Sequence, residues 1–240
     1  MVTGTFLFME RCPAIPSIPE IRVPRFSAER TRCMIDRMSS DDLTAAADRV
    51  QRQLAFLVEA DRLKGVLRQT TLCDASRPEN SAEHSWHLAL MAAVLAEHAP
   101  PGTDVARATR MALVHDLVEI DAGDTFAYDA SANVGKTERE QQAAARIFGL
   151  LPPEQAAELR ELWEEFEAQA TPEARFANAI DRLQPLLNNH HSGGGSWKAH
   201  GVSRAQVLRR MAPIEAALPG VWAMVLDIVD QNCALGHIRG

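Results

Sequence analysis

Two histidines and two aspartates, far apart in the sequence, offer the clearest capacity for chemistry. They are His84, the adjacent pair His115 and Asp116, and the distant Asp181. Imidazole nitrogens and carboxylate oxygens together suit divalent metals, and a doubly charged cation offsets the cost of burying such groups beside one another. The combination predicts a site for one divalent cation: manganese, cobalt, iron, nickel or magnesium.

The segment that carries His115 and Asp116 has a helical periodicity that ends in polar groups. Ala108 and Ala112 recur at helical spacing, and the same phase continues to His115, Asp116 and Glu119. A stripe of small residues that ends in an imidazole and two carboxyls favours a buried polar site. A surface helix end with solvated acids is the alternative.

His84 lies in the first turn of another predicted helix. Asn80 can cap this helix, Glu83 follows three positions later, and Leu88 continues the core-facing stripe from His84. His84 is therefore predicted to point inward from a helix end. His87 shares part of that face and is a rival ligand, although a histidine beside a core stripe is more often structural.

Asp181 lies beside a predicted apolar ridge that includes Phe176, Ile180 and Leu183. A carboxylate at the edge of this ridge could complete the coordination of a cation. The alternative is an ion pair with Arg182 at the surface, which the presence of the other candidate ligands disfavours.

Four ordered motifs carry a resemblance to a known family. They are residues 77–85 (RPENSAEHS), 115–119 (HDLVE), 123–124 (GD) and 179–183 (AIDRL). The sequence resembles the HD-domain phosphohydrolase superfamily over roughly residues 50–235, and within it the branch of the 5'-deoxynucleotidases. The resemblance implies that His84, His115, Asp116 and Asp181 are the metal ligands.

The same resemblance implies roles for other residues. Glu119 matches an acid that orients or activates the attacking water, and Asp124 matches a polar group near the sugar and the reaction centre. Arg68 and Arg77 match basic groups near the phosphate, although the spacing from Arg68 to His84 is one residue longer than in the family and no tryptophan follows Arg68. Trp86 could cover a base or belong to the core.

The implied function is hydrolysis of the 5'-phosphate of a nucleoside monophosphate, including deoxynucleotides, by attack of metal-bound water. The alternative is a phosphodiesterase or a hydrolase of another small phosphoester. A di-iron oxygenase is less favoured because no histidine occurs between Asp116 and His190. A guanosine tetraphosphate hydrolase is disfavoured because Ile120 follows Glu119, and a nucleotide-binding scaffold is disfavoured by Glu119 and Asp124.

Composition and helical periodicity predict one all-α bundle over residues 39–240, and the resemblance implies that this bundle is an HD domain. The preceding residues 1–38 contain several prolines without sustained periodicity and are predicted to be an irregular extension. A net charge of −7 argues against binding to long nucleic acids, and no apolar run is long enough to cross a membrane. The spacing of the four cysteines indicates a reducing, cytoplasmic setting.

The predicted elements are mostly helices, with no convincing strand. A first helix begins near residue 41, and later helices are expected at 81–99, 103–120, 137–150, 153–169, 172–188, 203–217 and 220–232. The residues from 188 to 198 include three glycines, Trp197 and Lys198, and are expected to form a lid over the substrate or a flexible connector. Lys198 is the candidate phosphate or base contact there. The resemblance also favours a homodimer.

Overall fold

The computed structural model describes residues 40–129 and 134–240. The chain divides into two compact units, Met1–Thr44 and Ala45–Gly240. The predicted irregular extension over 1–38 lies outside the described residues. The first unit is therefore represented only by the opening residues of the first helix.

Helices dominate the described part of the chain, as the all-α prediction requires. The α-helices are α1 (Ser40–Ala60), α2 (Ser81–Val94), α3 (Val105–Val114), α4 (Glu119–Ala122), α5 (Lys136–Phe148), α6 (Pro153–Ala168), α7 (Pro172–His191), α8 (Gly195–His200), α9 (Arg204–Ala217) and α10 (Pro219–Ala234). Short 3-10 turns cover Asp61–Gly65, Ala96–His98 and His115–Val118. The all-α fold class is confirmed.

A small hairpin corrects the prediction that the chain has no strand. Strand β1 (Leu67–Thr71) pairs antiparallel with β2 (Pro78–Asn80). These strands are too short to give a clear period of two, so the sequence pattern did not distinguish them from loop. Their position matters because β1 contains Arg68 and β2 leads directly into α2.

Side-chain capping explains why several helices begin where they do. Asn80 caps α2 in a capping box with Glu83, as predicted, and Ser203 forms the same arrangement with Gln206 at α9. Asp104 caps α3 by accepting a hydrogen bond from a backbone N–H. These caps fix the first turn of each helix, and in α2 that turn carries His84.

Helix α7 is the centre of the larger core. It packs against α2, α3, α6 and α9. The predicted ridge is buried at Phe176, Ile180 and Leu183, which confirms its assignment to the core. Val225 and Val229 of α10 are also fully buried and belong to the core.

The helix predicted over 103–120 is interrupted at the functional pair. Helix α3 ends at Val114, a 3-10 turn covers His115–Val118, and α4 then covers Glu119–Ala122. Gly123 follows with φ of 75°, a conformation that favours glycine. The change of helix type alters the directions of His115, Asp116 and Glu119 from those of a continuous α-helix.

The apolar side chains of Leu54, Leu57 and Val58 on α1 are exposed. One further expectation was wrong. The residues 188–198 were expected to be an open loop, but most of them belong to α7 or α8. Within this segment a side chain at Gly194 would lie 2.6 Å from Cβ of His237, so this glycine provides close packing.

Candidate metal centre

His84 lies fully buried at the start of α2, with both ring nitrogens beside polar groups. Its Nδ1 atom lies 3.1 Å from Oε1 of Gln184 and 3.3 Å from Oε2 of Glu79. These oxygens can only accept, so Nδ1 carries the proton and donates it. The Nε2 atom, 3.1 Å from Oδ1 of Asp181, then presents its lone pair.

His115 is arranged in the same way by its own helix. Its Nδ1 atom donates to the carbonyl oxygen of Ala112 at 2.9 Å, which leaves Nε2 with a lone pair. Among the described residues, Nε2 of His115 is buried and makes no hydrogen bond of good geometry, although Oδ1 of Asp116 lies 2.9 Å away and Oδ1 of Asp181 lies 3.8 Å away. Two imidazole lone pairs therefore face one carboxylate, an arrangement that requires a proton or a cation between them.

The structure brings three of the four predicted ligands into one compact group. Ligand atoms of His84, His115 and Asp181 all lie within 4.8 Å of one another, and all three residues are buried. Asp116 is adjacent: its Oδ1 lies 2.9 Å from Nε2 of His115 and its Oδ2 lies 4.0 Å from Nε2 of His84. The donor types and spacing fit a divalent cation.

Arg68 extends from strand β1 to the same group. Its Nη1 atom donates to Oδ2 of Asp116 at 2.9 Å and lies 3.9 Å from Asp124. Its Nε atom lies 3.5 Å from Oε2 of Glu79. Burial would lower the pKa of this guanidinium, but the charge of Asp116 and its neighbours raises it above its usual value. Arg68 therefore remains a permanent cation beside the carboxylates.

The charges of the group shift the pKa values of its members. Burial opposes ionisation of Asp116 and Asp181, yet the pKa of Asp116 is lowered to about 2, mainly by the charge of His115, and that of Asp181 falls well below its usual value through its hydrogen bond with His84. Burial would lower the pKa of His115, but Asp116 raises it to about 9. Each of these pKa shifts shows that a positive charge in contact with the ionised carboxylates stabilises them.

Glu119 is buried at the start of α4 and accepts a hydrogen bond of 2.7 Å from Oγ of Ser81. Burial, followed by the charge of Asp116, raises its pKa to about 8. Burial also raises the pKa of Asp124, which accepts a hydrogen bond from the backbone of Gln69. Both acids line the cavity that contains Asp116 and Asp181.

The cavity over the candidate ligands has a volume of about 170 Å³ and a mostly polar lining. Besides the predicted residues, its lining includes Arg210, Lys136 and Trp197. Nη2 of Arg210 donates to Oδ2 of Asp181 at 3.4 Å. The site therefore has cations on two sides, from β1 and from α9, and the second was not predicted because α9 carries no recognisable motif.

Three predicted substrate contacts do not belong to the described lining of this cavity. Arg77 is at the surface, where its guanidinium forms two hydrogen bonds with Glu83. Trp86 is 62% exposed and stacks on His87, so it lies neither in the core nor over the cavity. Lys198 is exposed on α8, while its neighbour Trp197 is buried and lines the cavity.

Sequence reasoning missed the polar groups that support the ligands. Glu79 is buried and, besides its contacts with His84 and Arg68, accepts hydrogen bonds from Gln184 and Asn188. Gln184 lies three residues after Asp181, on the same face of α7, and this helical spacing was the available signal. The alternative ligand His87 lies outside the group of candidate ligands. Its Nδ1 atom is 3.4 Å from Nε2 of Gln184.

The chain matches the family model of the HD domain over residues 60–222. This match covers more than half of the sequence and includes all four candidate ligands. The chain belongs to the HD-domain family. No helix of this HD-domain protein, within 40–129 and 134–240, is long and apolar enough to cross a membrane.

Relatives of this HD-domain protein include proteins that are named for an enzymatic activity. A human protein named 5'-deoxynucleotidase HDDC2 is 36% identical over 135 residues, which are 56% of this chain and 65% of that protein. A Schizosaccharomyces pombe protein named 5'-deoxynucleotidase hdd1 is 30% identical over 136 residues, 55% of this chain and 67% of that protein. The chain thus spans about two thirds of the length of these curated relatives, and slightly less for the human protein.

A solved structure covers more of the HD-domain chain. The crystal structure of a "predicted metal-dependent phosphohydrolase" from Magnetospirillum magnetotacticum MS-1 is 52% identical, with a TM-score of 0.77. The similarity covers 80% of this chain and 97% of that chain. The fold described above is therefore shared with almost the whole length of that solved structure.

Proposed function

We propose that this protein is a metal-dependent phosphohydrolase that removes the 5'-phosphate of nucleoside monophosphates, including deoxynucleotides. The observation that carries the proposal is the buried group of His84, His115 and Asp181, with ligand atoms within 4.8 Å of one another. The names of the human, yeast and Magnetospirillum proteins support the same reaction class.

The proposed ligands of one divalent cation are His84, His115, Asp116 and Asp181. Both histidines use Nδ1 to donate to neighbouring oxygens, and both Nε2 atoms remain available. When bound, such a cation would lower the pKa of a water molecule and polarise the phosphate. The candidate cations are manganese, cobalt, iron, nickel and magnesium.

Arg68 and Arg210 are the proposed phosphate-binding cations. They contact Asp116 and Asp181 at 2.9 and 3.4 Å, respectively, and both line the cavity. Their guanidinium groups can turn N–H donors toward phosphate oxygens and balance negative charge that these oxygens bring into the cavity. Arg77 is not retained in this role because it pairs with Glu83 at the surface.

Glu119 is the proposed proton acceptor for the attacking water. Ser81 fixes one of its oxygens, so the carboxyl has a defined position at the cavity wall. A nearby cation would favour its charged form, and a carboxylate whose pKa is near the working pH is an effective general base. Asp124, beside Arg68, is proposed to contact the sugar next to the reacting phosphate.

The proposal includes a homodimer in a reducing cytoplasm, with the catalytic unit starting near residue 39. Cys73 and Cys233 are free thiols, which suits a reducing compartment. The exposed apolar residues Trp86, Leu90 and Val94 on α2 offer a surface for a second copy.

The test is phosphate release from a panel of ribo- and deoxynucleoside 5'-monophosphates. Metal-stripped full-length protein is resupplied separately with manganese, cobalt, nickel, magnesium or iron(II), the last under anaerobic conditions. We expect metal-dependent release of inorganic phosphate. Stoichiometric metal binding without release from any nucleotide would refute the proposal.

Two variants separate metal binding from turnover. Asp181→Ala is expected to lose both the metal and the activity, whereas Glu119→Ala is expected to retain the metal and lose about 10²- to 10⁴-fold in kcat. Glu161→Ala, at a side chain that is 72% exposed on α6, is the control. Metal content by mass spectrometry and phosphate release are measured on the same preparations.

A further inference from the structure

A second cavity adjoins the cavity above the candidate metal ligands. Its volume is about 580 Å³, which is within the range of small-ligand pockets. Gln69, Phe126 and Tyr128 line both this cavity and the one above the metal ligands. The two cavities therefore share a wall, and a ligand with two chemically distinct ends could occupy both.

The shared wall is tied to the reaction centre through neighbouring residues. Gln69 follows Arg68 in β1, so the two side chains leave the strand on opposite faces. The backbone of Gln69 donates to Asp124, two residues before Phe126. Positions that contact phosphate and sugar in the proposed reaction are thus adjacent in the chain to positions that line the second cavity.

The chemistry of the second cavity is aromatic and amide-rich. The rings of Phe126 and His200 have centroids 4.4 Å apart, and those of Phe126 and Tyr128 are 5.4 Å apart. Nε2 of His200 lies 3.3 Å from Oε1 of Gln69. Flat rings can stack on a planar ligand, and the amides of Gln69 and Gln206 provide both donors and acceptors.

Arg239 adds a cation that the metal centre does not use. Its backbone is fixed, because its N–H donates to Val202 and its carbonyl accepts from Arg204. Its side chain is exposed beside Gly201 and lines the cavity. A guanidinium that lines the same cavity as aromatic rings suits the carbonyl and ring-nitrogen acceptors of a heterocycle.

We propose that this second cavity, formed around Phe126, His200, Gln69 and Arg239, is the subsite for the base of the nucleotide. This inference rests on the proposed function and deepens it: the phosphate lies at the metal ligands, the sugar passes Asp124, and the base stacks on the Phe126–His200 pair. The use of rings and amides rather than one fixed set of hydrogen bonds predicts tolerance of different bases.

The experiment measures binding of 2'-deoxyadenosine and thymidine to metal-stripped full-length protein by calorimetry, with 2-deoxyribose as the base-free comparison. The nucleosides carry no phosphate, so this readout does not depend on catalysis. We expect both nucleosides to bind and deoxyribose not to. Phe126→Ala and His200→Ala should each weaken nucleoside binding by about tenfold, the scale of one lost stacking contact.

The controls distinguish a base subsite from general damage to the protein. His191→Ala alters another exposed histidine, which lines neither cavity, and should bind nucleosides normally. Gln69→Ala is a second variant at an exposed position that can be compared if Phe126→Ala unfolds. Absence of nucleoside binding to the wild type, or equal binding by His200→Ala, Gln69→Ala and the wild type, would overturn the subsite.

A kinetic comparison separates this inference from the proposed function. In the metal-loaded protein, His200→Ala should lower kcat/KM for deoxynucleotides about tenfold while leaving that for 2-deoxyribose 5-phosphate unchanged. An equal loss on both substrates would contradict a base contact. A wild type that binds nucleosides yet releases phosphate from no nucleotide would refute the proposed function and leave the subsite standing.

Discussion

At the scale of single residues, the two histidines face Asp181 through Nε2 because each Nδ1 is engaged elsewhere. His84 donates toward Gln184 and Glu79, whereas His115 donates to the carbonyl of Ala112. Side chains therefore hold His84, whereas a backbone carbonyl holds His115. A substitution near His84 can therefore change its orientation, while His115 is fixed by the helix itself.

The pH dependence of stability follows from Glu119. Its pKa is raised to about 8 in the folded protein, mainly by burial, from a usual value of 4.5. Between these values the folded state holds a proton that the unfolded state has lost, so stability falls as pH rises through this window. We expect metal-stripped wild type to lose stability from about pH 4.5 to 8, measured as the free energy of unfolding in urea.

Glu119→Gln is the matched variant because it keeps the shape and removes the titration. The variant should lose less stability than the wild type over this window. The pKa of His115 is raised to about 9, so His115 also lowers stability as the pH rises above 6.5. This loss occurs in both proteins, so the difference between their free energies of unfolding isolates the contribution of Glu119. If the free energy of unfolding changed with pH in the same way in both proteins, Glu119 would be ionised in the folded state over this whole window.

The residue types and their order were sufficient to predict that His84, His115 and Asp181 lie together, but not which side chains support them. His84, His115 and Asp181 could be recognised because imidazoles and carboxylates at inward-facing helical positions need a partner. Glu79 and Gln184 could not, because their role depends on β2 and α7 meeting in space. Arg77 and Arg68 were both candidate phosphate contacts, and the sequence did not distinguish them. The fold places Arg68 beside Asp116 and Arg77 beside Glu83 at the surface.

At the scale of elements, the break between α3 and α4 is the feature that a periodic pattern could not supply. The sequence predicted one helix across His115, and each residue of that region is indeed helical in type. The change to a 3-10 turn at His115–Val118 alters the rotation per residue, and hydrophobic spacing over four residues does not distinguish the two. Helix ends marked by side-chain caps were predicted much more closely.

The turn between α7 and α8 gives a test at this scale. Gly194 has φ of 97°, and an added Cβ would lie 2.6 Å from Cβ of His237. Gly194→Ala should therefore lower the free energy of unfolding by about 2–5 kcal/mol, from backbone strain together with the steric conflict. Urea denaturation followed by circular dichroism gives this value directly.

The neighbouring glycine is the control for that substitution. Gly193 also has a positive φ, 71°, but an added Cβ would meet nothing within 4 Å. Gly193→Ala should cost only the conformational penalty, about 1–2 kcal/mol. Equal losses for the two variants would mean that His237 moves aside without cost and that the segment is less firmly packed than the geometry indicates.

At the scale of the whole molecule, α2 joins the buried centre to an exposed apolar stripe. His84 and Leu88 face inward, whereas Trp86, Leu90 and Val94 recur every four residues on the outer face and are exposed. Exposed apolar side chains in a continuous row are typical of a surface that another protein covers. Composition and periodicity predicted the inward face of α2. The sequence did not predict that the outer stripe is exposed, because exposure depends on where the other helices pack.

This stripe is the proposed centre of a symmetric homodimer interface. A two-fold interface would bring the stripe against its own copy, and burying a tryptophan and two aliphatic side chains removes apolar surface from water. We expect the wild type to sediment at about twice the monomer mass of 26.4 kDa. Trp86→Glu and Leu90→Glu should shift this mass to that of the monomer, because a dimer would bury two unpaired carboxylates.

Leu235→Glu is the matched control, since Leu235 is equally exposed but follows the end of α10. The Leu235→Glu variant should still sediment with the mass of the dimer. A wild type that sediments at 26.4 kDa at every concentration would refute the dimer. A dimer that persists in both α2 variants would move the interface elsewhere, with the exposed leucines of α1 as the next surface to test. Because α2 also carries His84, metal affinity measured across the same variants would show whether dimer formation stabilises the first turn of α2 and with it the metal centre.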